Sequence, residues 1–240
     1  MTESVAQGPE DGLDALLHEV GIDLSGPERD LAFVHRSYAY ENGQIPTNER
    51  LEFLGDAVLE IHVTDYLYRS QPDLPEGRLA KVRSAVVNTH SLADVARRHG
   101  LGHHILLGRG EVTTGGADKS SILADTTEAL IGAIHIGVGE QAAADFVRHV
   151  FAPLVDQAVS LGAGLDWKTA LQELASANGD LPTYEVEQSG PEHQRSFTAW
   201  VSAAGARFGP GTGTTKRQAE QHAAEVAVRS LQGTGVAASR

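Results

Sequence analysis

Asn48-Glu49-Arg50-Leu51-Glu52-Phe53-Leu54-Gly55-Asp56-Ala57-Val58-Leu59-Glu60 is the most informative stretch of this 240-residue chain. At about 100° per residue, Leu51, Leu54, Val58 and Ile61 share one helical face, and Glu49, Glu52, Asp56 and Glu60 share the opposite one. A solvated face is the ordinary meaning of such a stripe. Two features set this one apart. The like-charged i, i+4 pairs Glu52/Asp56 and Asp56/Glu60 each cost on the order of 0.2–0.5 kcal/mol, and no Lys or Arg within the stripe offsets them. Its borders are Phe53 and Leu59 rather than polar residues. A narrow line of carboxylates between apolar side chains predicts a partly buried site in which a cation holds the acids together.

A second acidic pair lies in Lys119-Ser120-Ser121-Ile122-Leu123-Ala124-Asp125-Thr126-Thr127-Glu128-Ala129-Leu130-Ile131-Gly132-Ala133, where Asp125 and Glu128 stand at i, i+3 among apolar and small neighbours. Alone, such a pair is more often structural. Beside the first stripe it becomes the candidate second wall of a carboxylate site. Four carboxylates without a histidine are hard oxygen ligands, suited to Mg²⁺ or Mn²⁺ rather than zinc or copper. A di-iron bundle would need Glu-x-x-His pairs, and the residue three after Glu128 is Ile131.

The composition, 41% apolar and 21% charged, is that of a globular chain. There is no cysteine, which excludes disulfides, thiolate zinc, iron–sulfur clusters and thiol nucleophiles, and fits a reducing compartment. Met1 to Gly12 has neither a basic nor an apolar leader segment, and His135 interrupts the apolar run from Ala129 to Val138. The expectation is a cytoplasmic protein, neither exported nor membrane-spanning. The length suggests two domains. We place the first at 13–160 and the second at 166–233, joined by the flexible linker Leu161–Leu165, with 1–12 and 234–240 expected to be disordered. Helical spacing dominates the first: Leu13 to Val20, Glu28 to Tyr40, Arg50 to Tyr68, Arg78 to Gly100, Ile122 to Ile136 and Glu140 to Ser160. In the second, Asp166 can cap a helix running to Gly179. Strands over Tyr184–Gln188 and Phe197–Ala203 follow, then a short third strand through Ala206 and Phe208, a glycine-rich loop at Gly209–Gly213, and a helix over Thr215–Leu231. The net charge of −13 argues against a polyanionic partner until its distribution is considered. Residues 1–165 carry 12 Lys+Arg against 24 Asp+Glu, whereas residues 166–240 carry 7 against 8.

The stretch from Asn48 to Leu59 resembles the signature of ribonuclease III, the double-stranded-RNA endonuclease. Other segments fall in that family's order: His35 to Asn42, Pro75 to Asn88, Leu106 to Glu111 and Lys119 to Ala133. The resemblance implies an all-α nuclease domain of the ribonuclease III fold, followed by a small α+β domain of the α-β-β-β-α double-stranded-RNA-binding fold. It assigns metal binding to Glu52, Asp56, Asp125 and Glu128, and catalysis to Asp56 and Glu128. Glu49 and Glu76 fall on two further acids of the active-site valley, and Phe53 on a residue that packs into the partner subunit of a homodimer. Thr127 departs from a usual apolar residue and His135-Ile136-Gly137 from the family's Tyr-Leu-Asp, and neither change touches a ligand. In the second domain the resemblance assigns RNA contact to Thr169, Gln172, His193, Lys216 and Arg217. Lys216 and Arg217 also stand out physically, because cations at a helix N-terminus oppose the macrodipole unless an anion joins them.

What the family implies is a Mg²⁺ cofactor, with Mn²⁺ able to substitute, and a double-stranded RNA substrate rather than DNA. Products would carry 5′-phosphate and 3′-hydroxyl ends with short 3′ overhangs, and substrates would include precursors of ribosomal, messenger and transfer RNA. The alternative is a non-catalytic double-stranded-RNA-binding dimer, which predicts loss of at least one ligand acid. All four are present.

Overall fold

The computed structural model describes residues 12–163, 165–176, 179–191 and 195–235. The chain divides between Gly164 and Leu165 into two compact units. Helices α1 (Gly12–Val20), α2 (Pro27–Ala32), α3 (Arg36–Glu41), α4 (Glu49–Ser70), α5 (Glu76–Val86), α6 (Thr89–Arg98), α7 (Arg109–Thr113), α8 (Ser120–Gly137) and α9 (Glu140–Ser160) build the first. Helix α1 opens at Gly12, the last residue of the segment expected to be disordered. Residues 1–11 of that segment lie outside the described residues.

Helices α4 and α8 form the centre of the first unit and cross almost backbone to backbone. A Cβ on Gly55 would lie 1.8 Å from the Glu128 carbonyl oxygen, and one on Gly132 would lie 2.2 Å from that of Leu51. Only glycine fits at either position. Around the crossing Leu51, Leu59, Leu123, Leu130, Ile131 and Ile134 are buried, and Phe146 and Phe151 of α9 complete the core. The expected apolar face of α4 holds over Leu51 to Val58 and then fails. Ile61 is 60% exposed, and the buried line passes instead through Leu59, Val63 and Leu67. The line winds around α4 because α8 covers its first half while α9 meets its second, where Tyr66 donates to Asp156 at 3.1 Å.

Two helices expected as continuous are broken by capping residues. Glu28 to Tyr40 divides at Val34, which bridges in parallel to Leu106, and the ring Nδ1 of His35 accepts from the Ser37 N–H at 3.2 Å to start α3. Arg78 to Gly100 divides at Asn88, whose Oδ1 accepts from the Ser91 N–H at 3.0 Å to start α6. Thr127 is fully buried yet satisfied. Its hydroxyl lies 3.2 Å from the Leu92 carbonyl and 3.0 Å from that of Leu123, which links α8 to α6.

The second unit runs α10 (Trp167–Ser176), β1 (Thr183–Ser189), β2 (Ser196–Ala203), β3 (Ala206–Gly213) and α11 (Lys216–Gly235), with an antiparallel sheet of order β1-β2-β3. Asp166 caps α10, its Oδ1 accepting from the Thr169 N–H at 3.2 Å. The expected glycine-rich loop is instead the second half of β3. Its glycines serve packing: a Cβ on Gly211 would lie 2.2 Å from the Ala223 nitrogen of α11. Pro210 is accommodated where the β2–β3 register shifts between Ala199 and Val201. Leu171, Ala175, Val201, Ala223 and Val228 fill this unit's core. Helix α11 continues to Gly235, two residues into the tail expected to be disordered, and 236–240 lie outside the described residues.

The crossing makes a stability prediction. Gly55→Ala should lower the unfolding free energy of the first unit by roughly 3 kcal/mol, the upper part of the range for overpacking. Gly77→Ala, at a position with nothing within 4 Å of the added Cβ, should be neutral or stabilise by about 0.5 kcal/mol. Chemical denaturation of both variants is the measurement, and equal stabilities would contradict the tight crossing.

Candidate active site

The α4–α8 crossing brings acids from distant parts of the sequence onto one spot. One turn before Gly55, Glu52 projects from α4; Glu128, whose backbone touches Gly55, and Asp125 project from α8. Carboxylate oxygens of Glu52, Asp125 and Glu128 lie within 4.8 Å of one another. Asp56 is exposed and stands outside this triad. It is nonetheless electrostatically part of the group, since its charge is the strongest carboxylate influence on Glu128.

The cluster resists its own ionisation. Burial, followed by the charges of Asp56, Asp125 and Glu52, pushes the Glu128 carboxyl up to about 8. Burial first, then Asp125 and Glu49, raises Glu52, with the Arg36 guanidinium opposing. Asp125 is raised by burial, against the charges of Arg36 and His35. Among the described residues no Lys, Arg or His lies within ion-pairing distance of Glu52, Asp56, Asp125 or Glu128. These residues fit a divalent cation: the donors are convergent hard oxygens, and the repulsion that raises their pKa values would be relieved by positive charge among them.

The surrounding backbone is fixed by side chains. Asn48, buried at the start of α4, donates from its N–H to Val34 O at 2.9 Å and from Nδ2 to Ala32 O at 3.2 Å. Ser37 Oγ accepts from the Gly108 N–H at 2.9 Å and lies 2.7 Å from His35 Nδ1. Just before α8, Lys119 Nζ donates to Glu111 Oε2 at 2.5 Å and to Thr114 Oγ1 at 2.8 Å.

Of the two further valley acids, the structure brings only Glu49 near the triad. It precedes Glu52 by one turn, accepts from Thr47 Oγ1 at 2.9 Å, and lies 3.9 Å from Arg36. Glu76 opens α5 and shares a recess with Leu67, Tyr68 and Arg83 at the other end of α4. About 22 Å of helix separates residues 52 and 67, so Glu76 does not join the site of its own chain. Phe53, next to Glu52, is 81% exposed. In the second unit Thr169 and Gln172 are exposed one turn apart on α10, and Lys216 and Arg217 are exposed in the first turn of α11. Lys216 is loosely paired with Glu220 at 3.9 Å. His193 lies outside the described residues. Gln221 ties the two helices together, its Nε2 donating to Asp166 Oδ1 at 2.7 Å. The residues that sequence reasoning did not single out are Gly55 and Gly132. Their signal was available, since glycine inside a helix costs about 1 kcal/mol and needs a reason.

Comparison with known proteins agrees with this architecture. Residues 29–154 match the family model described as Ribonuclease-III-like, and residues 167–231 match the double-stranded RNA binding motif. Ribonuclease 3 of Thermobifida fusca (strain YX) is 57% identical over 213 residues, covering 88% of this chain and 89% of that protein. Ribonuclease 3 of Mycobacterium tuberculosis (strain ATCC 25618 / H37Rv) is 55% identical over 221 residues, covering 90% and 92%. Among solved structures, a nuclease domain of ribonuclease III from Campylobacter jejuni superposes with a TM-score of 0.52 at 36% identity, covering 58% of this chain and 99% of that one. The structural report on it concerns flexibility in a region involved in dimer formation. Among the described residues no helix is long and apolar enough to cross a membrane.

The elevated Glu128 carboxyl gives a pH dependence with a definite sign. Its value rises from an ordinary 4.5 to about 8 on folding, so the folded protein binds the proton more tightly. Stability from this group is full below the unfolded value and is lost as pH rises towards the folded one. In chelator, Glu128→Gln should match the parent at pH 5 and melt at a higher temperature at pH 8, because glutamine mimics the protonated acid. Parallel melting curves for the two proteins across that range would refute the shift.

Proposed function

The chain belongs to the ribonuclease III family, and on that premise we propose that it hydrolyses phosphodiester bonds in double-stranded RNA at the site formed by Glu52, Asp56, Asp125 and Glu128. The observation that carries the reading is the convergence of three carboxylates from two helices at a glycine-only crossing. Glu52, Asp125 and Glu128 would hold Mg²⁺, or Mn²⁺ in its place, and Asp56 extends the acidic set to the exposed rim. A divalent cation bound there supplies Lewis acidity towards the phosphoryl oxygens and makes its water a better nucleophile near neutral pH. The carboxylates orient the attacking water and accept its proton, Glu128 and Asp56 being the pair assigned to that role. Attack on phosphorus with departure of the 3′-oxygen leaves 5′-phosphate and 3′-hydroxyl ends.

Two copies of the site in a homodimer would cut opposite strands and leave short 3′ overhangs. The exposed Phe53 beside Glu52 is the proposed dimer anchor, in keeping with the dimer-forming region described for the Campylobacter nuclease domain. The second unit would bind the duplex. Exposed Thr169 and Gln172 suit 2′-hydroxyls in the shallow minor groove, which DNA lacks, and Lys216 and Arg217 suit phosphate at the N-terminus of α11. His193 is proposed for the same surface on the family pattern alone. Precursors of ribosomal, messenger and transfer RNA in the cytoplasm are the proposed substrates.

An end-labelled RNA duplex and its DNA counterpart, each with Mg²⁺ and with chelator, test the reading. Metal-dependent cutting of RNA alone is expected, with staggered 5′-phosphate ends, and Glu128→Ala should abolish it while sparing binding. Unchanged turnover in that variant would sink the site assignment; tight binding without cutting by the parent would favour the non-catalytic dimer. Separately, Lys216→Ala with Arg217→Ala should weaken duplex binding and reduce the slope of log affinity against log salt by roughly one to two. An unaltered slope would remove the phosphate role.

A further inference from the structure

Several of the cations around the nuclease core are already committed. Arg69, Arg83, Arg97 and Lys119 hold carboxylates at 2.8, 3.1, 2.7 and 2.5 Å respectively. Arg36 is held differently. Its ionic contact is with Glu49 Oε1 at 3.9 Å, and its side chain is 75% exposed. The other oxygen of that carboxylate is engaged by Thr47 at 2.9 Å. The backbone beneath Arg36 is rigid, because the preceding residue, His35, donates its N–H to Leu106 O at 3.2 Å while its ring caps the helix. The result is a firmly anchored Cα carrying a loosely tethered guanidinium. Glu49 stands one turn before Glu52, which places that guanidinium at the edge of the acid triad, and its charge is felt by both Glu52 and Asp125.

We propose that Arg36 is a substrate-binding residue of the cleavage site, exchanging its weak contact with Glu49 for a backbone phosphate next to the scissile one. The inference rests on the nuclease reading of the acid cluster. A phosphodiester approaching four acids meets repulsion that a resident cation only partly reverses, and a guanidinium on the rim adds a planar fork of donors matched to phosphate oxygens. An exposed, single-contact ion pair is cheap to break, whereas a charge-assisted pair with phosphate also releases a condensed counterion from the RNA. Holding Arg36 near Glu49 in the free protein keeps the donor close to its site of use and limits the ordering required when RNA arrives.

The test compares the full-length protein with Arg36→Gln and Arg36→Lys on an RNA duplex of about 30 base pairs, a length chosen to exceed one RNA-binding footprint. Cleavage is followed in Mg²⁺ at several salt concentrations, and duplex binding is followed in chelator. Arg36→Gln should raise KM about 5- to 30-fold with little change in kcat, and lower the salt slope of binding by about one. Arg36→Lys should restore the salt slope, which follows charge, and recover only part of the affinity, since the planar fork is lost. An unchanged KM and salt slope in Arg36→Gln would overturn the proposal. So would a change confined to kcat and the Mg²⁺ requirement, because that would make Arg36 a regulator of the acids and not a phosphate contact. If the parent binds RNA but does not cut it, the nuclease reading fails independently, and the salt slope in chelator still decides the role of Arg36.

Discussion

The close approach of α4 and α8 is the constraint on which the first unit depends. Gly55 and Gly132 are each pressed against the other helix's backbone, at positions where a Cβ would overlap a carbonyl oxygen. Glycine is an expensive helix residue, so the crossing has to be stabilised by what surrounds it. That support is the apolar core of α4, α8 and α9, with Leu59, Leu130, Ile131 and Phe146 among its fully buried side chains. The gain is geometric. Helices usually pack with axes 8–10 Å apart, a separation set by intervening side chains; with none at the contact, short side chains such as those of Asp125 and Glu52 can converge directly.

Convergence has an electrostatic cost that the same core must bear. Three carboxylates within 4.8 Å, with a fourth on the rim, raise one another's pKa values, and burial adds to the effect. An ordinary charged surface would neutralise such a group with lysine or arginine. Here Arg36, held beside Glu49 one turn before Glu52, only partly offsets the repulsion. The site is therefore frustrated in the absence of a positive ligand. Frustration of this kind is tolerated where a stable scaffold over-determines the geometry, and it marks functional sites more often than structural ones.

Much of this was legible in the sequence because the chemistry is local on each helix. Glu52 and Asp56, like Asp125 and Glu128, announce themselves by spacing, apolar flanks and missing counter-charges, and hard oxygen ligands follow from residue type. Less legible was anything set by tertiary contact. The buried face of α4 turns as its neighbour changes from α8 to α9, which left Ile61 outside the core. Two long helical patterns are interrupted by His35 and Asn88, whose caps compete locally with an otherwise continuous apolar period. The glycines of β3 look like a loop by composition, yet they allow α11 to lie directly on the strand. Glu76 shows the same limit, since sequence order says nothing about which end of a 22-residue helix it will meet.

Charge distribution completes the argument. A chain with a net charge of −13 is poorly suited to attract RNA at long range. Its second unit is close to neutral and displays Lys216 and Arg217 where a helix already favours anions. In the first unit much of the positive charge is tied up in ion pairs, and the acid triad is repulsive until a cation binds. Under the proposed function, capture and chemistry are thus divided between the units. The near-neutral unit supplies affinity that does not depend on the metal, and the acidic unit admits the scissile phosphate to its carboxylates only when a cation is bound among them.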